Sequence, residues 1–184
     1  YAGQLSRFQK GRRMVREILI GAGCDEAMPM PFLAPGDLQK AGLSDNAISI
    51  SNPLVQEESL LRTSLLPGQL KILAYNQSHR VKGLKFFEIG HIYLPSASDQ
   101  ILPDEREYLC VSIAEGDATS VVAILDLLSA TMVFPNTQLK ELEIAGLHPA
   151  RSAEVFIAGQ SRGVVGEVDP RVLQNYGIEG SVAW

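Results

Sequence analysis

At 184 residues and 20.0 kDa the chain has the size of one domain, able to bury about 70% of its unfolded surface. With 46% hydrophobic and 20% charged residues it is neither disordered nor fibrous, and no apolar run approaches the ~20 residues of a membrane span. A net charge of -5 and a pI near 5.2 give no general attraction for a polyanion, so nucleic acid could be met only by a local patch.

The first residues, Tyr1-Ala-Gly-Gln, carry neither an initiator Met nor a charged-then-apolar signal segment, as expected of a piece of a longer chain. Cys24 and Cys110 lie far apart in apolar segments. This fits buried reduced thiols and a cytoplasmic compartment. His79, His91 and His148 have no ligand spacing with one another or with either cysteine, so no metal ligands are expected.

Over residues 5–23, Leu5, Phe8, Val15, Ile18 and Leu19 form a helical stripe with Met14 beside them, interrupted at Gly11 and stopped by Gly21 and Gly23. Lys10, Arg12, Arg13 and Arg16 cluster on this helix, either facing RNA or, as favoured, forming a solvated face with packed Arg stems. Residues 26–33 are apolar but hold Pro29 and Pro31, which predicts an edge or irregular strand. A short helix over 35–42, a strand over 47–51 and a turn at Asn52-Pro53 lead on.

The block 59–94 is expected to form the middle of an antiparallel sheet with a helix packed on it. Pro67 suits a first helical turn, and Leu70, Leu73, Ala74 and Gln77 share a face with Ile72 adjoining. Residues 84–94 then alternate as a strand that is largely apolar on both faces, the mark of an interior position. Glu88 is the exception: it is either an acid-base or substrate group or, as favoured, a partner of Arg62 or a backbone amide.

Residues 108–114 form a further strand, antiparallel to the last. A helix over 120–132 turns Val121, Ile124, Leu125, Leu128 and Met132 to the core and Asp126 away. A strand over 137–144 and a turn over 146–149 precede a hairpin that pairs 153–158 with 163–168 across Gly159-Gln-Ser-Arg162. A helix over 170–176, closed by Gly177, and the beginning of a strand at 181–184 complete the chain. The order argues for an α+β domain, an antiparallel sheet covered by helices.

Four segments carry a resemblance: Leu60-Leu-Arg-Thr-Ser-Leu-Leu-Pro-Gly68, Phe87-Glu-Ile-Gly90, His148-Pro-Ala-Arg-Ser152 and Gly166-Glu-Val-Asp-Pro170. In order and spacing they resemble the synthetase-like module of the beta-subunit family of bacterial phenylalanine–tRNA ligases. The likeness runs through nearly the whole chain. It departs at 115–120, where the family has a longer, more aromatic connection and this sequence is shortened or lacks a disordered loop.

The resemblance implies a class II aminoacyl-tRNA synthetase fold in one domain spanning residues 1–184 of a longer beta subunit. It also implies a degenerate copy of the catalytic module. Arg62 and Thr63 match the Leu-Leu-Arg-Thr segment of the catalytic relatives, Glu88 lies in the scaffold beside them, and Leu94 stands where an ATP-binding Arg belongs. Leucine offers no cationic fork for a phosphate, so no catalytic or cofactor-binding residue is assigned. ATP and magnesium belong to the whole enzyme.

The implied partners are a catalytic alpha subunit in a four-chain (alpha2-beta2) enzyme, and tRNA. The first helix and the proline-bearing strand correspond to the element that builds such interfaces, with Leu5, Phe8, Val15 and Ile18 as contact candidates. Two other readings stand beside this one. One is a working adenylate-forming enzyme of the same fold, opposed by Leu94. The other is an RNA-binding module using the α-helical cations above or His79, Arg80, Lys82 and Lys85, opposed by the acidic whole and the lack of interleaved aromatics.

Overall fold

Ser6 opens the first helix with a reciprocal cap: its hydroxyl accepts from the Gln9 N–H at 3.1 Å, and the Gln9 side chain accepts from the Ser6 N–H at 2.9 Å. Helix α1 (Arg7–Gly21) follows in the computed structural model of the chain, which describes residues 3–96 and 102–184. The opening Tyr1-Ala pair lies outside the described residues. Gly11 does not interrupt the helix, and Gly23, at φ +80, turns the chain out of it.

The proline-bearing segment makes two strands in two different sheets. β1 (Asp25–Glu26) joins a large sheet and β2 (Phe32–Leu33) joins a small one. Pro29 and Pro31 fall between them, where no ladder N–H is required. Helix α2 (Asp37–Lys40) and strands β3 (Ile48–Ser49) and β4 (Leu60–Leu61) follow, and β2, β4 and β3 form the small antiparallel sheet.

Helix α3 (Leu66–Ser78) carries Pro67 in its first turn and buries Leu66, Gln69, Leu70 and Leu73. It leads to β5 (Lys85–Leu94), which pairs antiparallel with β6 (Asp104–Ala114) over its whole length. Helix α4 (Ala118–Met132) starts on a second reciprocal cap, Asp117 with Ser120, so the chain crosses from β6 to α4 in a closed turn. Residues 115–120 form that turn in this structure.

β7 (Gln138–Glu141) covers only the middle of the strand expected over 137–144. β8 (Leu147–Ile157) takes in Leu147, His148 and Pro149, three of the four residues expected as a turn. Its ladder with β9 (Gln160–Val168) is broken between Leu147 and Ser152, so Pro149 is accommodated without costing a ladder bond. The β8–β9 loop is two residues, Ala158 and Gly159, both left-handed at φ +53 and +75. That geometry matches strand twist in the tightest hairpins, which draws Gln160, Ser161 and Arg162 out of the expected loop and into β9. Helix α5 (Pro170–Tyr176) ends at Gly177, and β10 (Val182–Ala183) follows.

The large sheet runs β1-β5-β6-β10-β9-β8-β7, with only β1 and β5 parallel among its pairs. β10 occupies the middle. β5 is next to the edge, a correction to the expected central place of the 59–94 block. The reason lies in chain order: the two residues of β10 insert between β6 and β9, which the sequence pattern alone does not reveal.

Helices cover both faces. α3 and α5 pack Leu70, Leu73, Val172 and Leu173 on Phe86, Val168 and Val182. α1 and α4 pack Leu19, Val121 and Leu128 on Phe87, Val111 and Ala183. Among the described residues, no helix is long and apolar enough to cross a membrane.

Candidate functional site

The exposed edge of β5 beyond β1 is closed largely by arginines. Ala27 N–H bonds Phe87 O at 2.8 Å, Arg12 Nη2 reaches Ile89 O at 3.4 Å, Arg62 Nε donates to His91 O at 2.7 Å, and Tyr93 N–H donates to Arg62 O at 2.9 Å. A sheet edge left open would offer these groups to another chain. Arg62 thus spends both its backbone and its side chain on β5.

From there the Arg62 guanidinium turns over the sheet. Nη1 stands 2.6 Å from Glu88 Oε1, with the two side chains 6% and 4% exposed. Nη1 makes no directed hydrogen bond despite this closeness, so charge and burial hold the pair. Gln69 donates to Glu88 Oε2 at 3.1 Å and Ser112 donates to Gln69 at 3.3 Å, joining α3, β5 and β6 in one buried chain of polar groups.

Gly90 makes room for this arrangement: a Cβ there would meet Glu88 Oε1 at 2.5 Å and collide with the Arg62 guanidinium. Cys110, across from Glu88, has its thiol pushed well up by burial, with the Glu88 carboxylate adding to the effect. Thr63 is half-buried beside Arg62, and Leu94 packs with Leu65, Ile92, Cys110 and Trp184. Glu88 is therefore the partner of Arg62, the favoured of the two expectations.

A second pair, which the sequence reading did not join, sets a buried glutamate against an arginine whose side chain is about half exposed. Arg151 meets Glu167 at 2.9 Å, and Glu167 Oε1 also accepts the Ala118 N–H at 3.2 Å, holding the start of α4 to β9. Gly166 permits the close approach: a Cβ there would lie 2.5 Å from Arg151 O and 2.8 Å from Ser152 Cα. Its own backbone exchanges two bonds with Trp184, at 2.9 and 2.8 Å. The signal was present as one Arg-Ser and one Gly-Glu segment, but their cross-strand register was not.

The candidate interface residues divide. Phe8 is 65% exposed and Leu5 is also exposed, whereas Val15 and Ile18 are half-buried against the core under α1. Val15 and Ile18 thus serve their own fold first, because the C-terminal half of α1 lies on the sheet while its first turns overhang it. Beneath that overhang is a groove of about 280 Å³ lined by Phe8, Arg12, Val15, Ile89, Tyr108 and Leu109. Tyr108 and Leu109, partly exposed there, were not among the candidates.

The helix cations are mostly occupied. Arg16 grips Glu26 through two bonds of 2.7 Å, which holds that carboxyl below its usual range; Arg12 pairs with Glu107 at 3.3 Å and Arg13 with Glu17 at 3.5 Å. His79, Arg80, Lys82 and Lys85 are all exposed. Among the described residues no group of three or more His, Cys, Asp or Glu is placed to hold a metal ion.

The layers and sheet order define an aminoacyl-tRNA synthetase fold of class II. The structure of a pyrrolysyl tRNA synthetase from Desulfitobacterium hafniense superposes with a TM-score of 0.78 over 96% of this chain and 62% of that one, at 12% identity. The particular family follows from sequence: residues 1–184 match the phenylalanyl tRNA synthetase beta chain CLM domain, and the chain belongs to that family.

Beta subunits of phenylalanine–tRNA ligase are similar to it in Clostridium tetani, 31% identical over 90% of this chain, and in Geobacter metallireducens, 31% identical over 99%. The Aeropyrum pernix beta subunit is 31% identical over 93% of the chain. This chain spans 22%, 25% and 31% of those three relatives.

Proposed function

We propose that this chain is a non-catalytic synthetase-like module of a phenylalanine–tRNA ligase beta subunit, one that supports assembly with a catalytic alpha subunit. What carries the reading is the use made of the sheet face that bears Glu88. α3 covers it, Arg62 is consumed by Glu88 and His91 O, and Leu94 packs in an apolar cluster. A triphosphate needs unspent cations in an open, preorganised site. The residues here do not fit ATP and magnesium, and no step is derived through them. Charging of tRNA, in the cytoplasm and in an alpha2-beta2 enzyme, is the work of the whole assembly.

The alpha subunit would take the overhang of α1. Leu5 and Phe8, with Tyr108 and Leu109 across the groove, present apolar surface that its own chain leaves uncovered. Met28 and Met30, 87% and 58% exposed on the proline-bearing segment, extend the apolar surface of this module. Sedimentation velocity of the alpha subunit mixed with a beta subunit carrying Phe8→Asp tests the reading. The expected result is a shift from the assembled species to separate subunits, and an unchanged boundary contradicts it.

A further inference from the structure

A second groove, of about 330 Å³, opens on the α3 side of the large sheet, whereas α1 packs on the other face. Pro29, Met30 and Phe32 of the proline-bearing segment line it together with Ile72 and Tyr75 of α3. Glu57 and Glu58, from the single-turn helix Gln56–Glu58, complete the lining that matters here.

The apolar walls are set before anything binds. Pro29 and Pro31 fix the backbone on one side. Gly68 lets Pro29 lie directly on α3, since a Cβ there would come within 3.1 Å of the Pro29 ring. Met30 is 58% and Tyr75 65% exposed. Apolar groups held on a preformed wall need little further ordering when a partner covers them, and methionine adapts its shape to what it meets.

The charge of the groove is one-sided. Lys71, the one cation among the described residues that line it, is spent on Asp37 at 2.6 Å. The Asn76 amide is spent on Ile72 O at 2.9 Å. Glu57 and Glu58 have no ion pair or side-chain hydrogen bond among the described residues, although Glu58 is half-buried. The neighbouring sequence supplies no cation either: from Ala41 to Leu61 it contains Asp45, Glu57 and Glu58 but no Lys, Arg or His. Two unpaired carboxylates beside uncovered apolar surface complement a partner that is apolar at one point and cationic at the next.

We propose that this groove docks a protein segment presenting an apolar side chain followed by Arg or Lys, the apolar group lying among Met30, Phe32 and Ile72 and the cations meeting Glu57 and Glu58. The proposal concerns the chain by itself and does not rest on assembly with an alpha subunit.

Fluorescence anisotropy of a labelled octapeptide with Leu-Phe-Arg-Arg at its centre, titrated with the 184-residue chain to about 1 mM, tests it. Replacing the two arginines of the peptide by Glu, or its Leu-Phe by Ser-Ser, weakens binding about tenfold or more. Glu57→Gln/Glu58→Gln weakens the Arg-bearing peptide about tenfold and removes most of its salt dependence between about 50 and 200 mM. Met30→Ala/Tyr75→Ala weakens it by a similar factor at unchanged salt dependence. Matching thermal melts confirm that the variants fold, and the peptide exchanges decide the matter on the unaltered chain. No binding up to about 1 mM overturns the proposal, as does equal binding of the three peptides, or binding unchanged in Glu57→Gln/Glu58→Gln. Binding abolished by Phe8→Asp places the peptide under α1 and also overturns it.

Discussion

Replacing Arg62 by Met takes away the guanidinium that faces Glu88 at 2.6 Å and bonds His91 O at 2.7 Å. Glu88 is then a carboxylate 4% exposed with only the Gln69 amide beside it. Breaking one side of a buried pair costs about 3–5 kcal/mol, a large part of the 5–15 kcal/mol that holds a typical domain folded. Glu88→Leu leaves the cation unpaired and costs a similar amount. The double variant is different, because no charge is left buried. Its remaining cost is His91 O and the Gln69 amide without partners, about 1–3 kcal/mol in all. Denaturant unfolding followed by circular dichroism measures all three. The expected coupling between the two sites is about 3 kcal/mol or more, with the double variant more stable than either single one. Additive losses would refute the idea that Arg62 and Glu88 act as one buried pair holding the β4–α3 connection to β5.

Gly166→Ala should cost more than Gly90→Ala, because its Cβ meets Arg151 O and Ser152 Cα of the neighbouring backbone rather than movable side-chain ends. Gly163→Ala, with nothing within 4 Å of its Cβ, should stay within about 0.5 kcal/mol of wild type in the same unfolding assay. Asp117 is held down to about 2 by the Thr119 hydroxyl first and the Ser120 groups next. A carboxylate lowered by folding contributes stability above its unfolded value and loses it as pH falls through the folded one. The melting temperature of wild type should therefore drop more steeply than that of Asp117→Asn between about pH 4 and pH 2.

Helical segments were the most legible part of the sequence. The apolar spacing over α3 and α4, Pro67 and Pro170 in first turns, and Gly177 as a stop all describe one helix at a time, and local rules suffice for that. Both reciprocal caps, Ser6 with Gln9 and Asp117 with Ser120, were also readable from spacing but went unused. What local pattern could not give was order across the sheet. The two residues of β10 hold the middle place, although such a short apolar pair has no periodicity to measure. Glu88 stood out because a carboxylate among Phe86, Phe87 and Ile89 demands a partner, and Arg62 answered that demand. Glu167 stood among equally apolar neighbours, but its partner Arg151 is set by a cross-strand register that a broken ladder obscures. For the interface candidates, the helical stripe separated α1 into faces but not into halves. Only the packed structure shows that Phe8 overhangs while Val15 and Ile18 are half-covered.

The claim that this module contributes architecture and not chemistry meets its most direct test in the assembled enzyme. Phenylalanine-dependent ATP–pyrophosphate exchange is measured with wild-type beta subunit and with Arg62→Met/Glu88→Leu, at equal amounts of assembled alpha subunit. If the pair only joins secondary-structure elements, exchange stays within about twofold of wild type. A loss of about a hundredfold or more with assembly intact, the scale of removing one transition-state contact, would contradict the account.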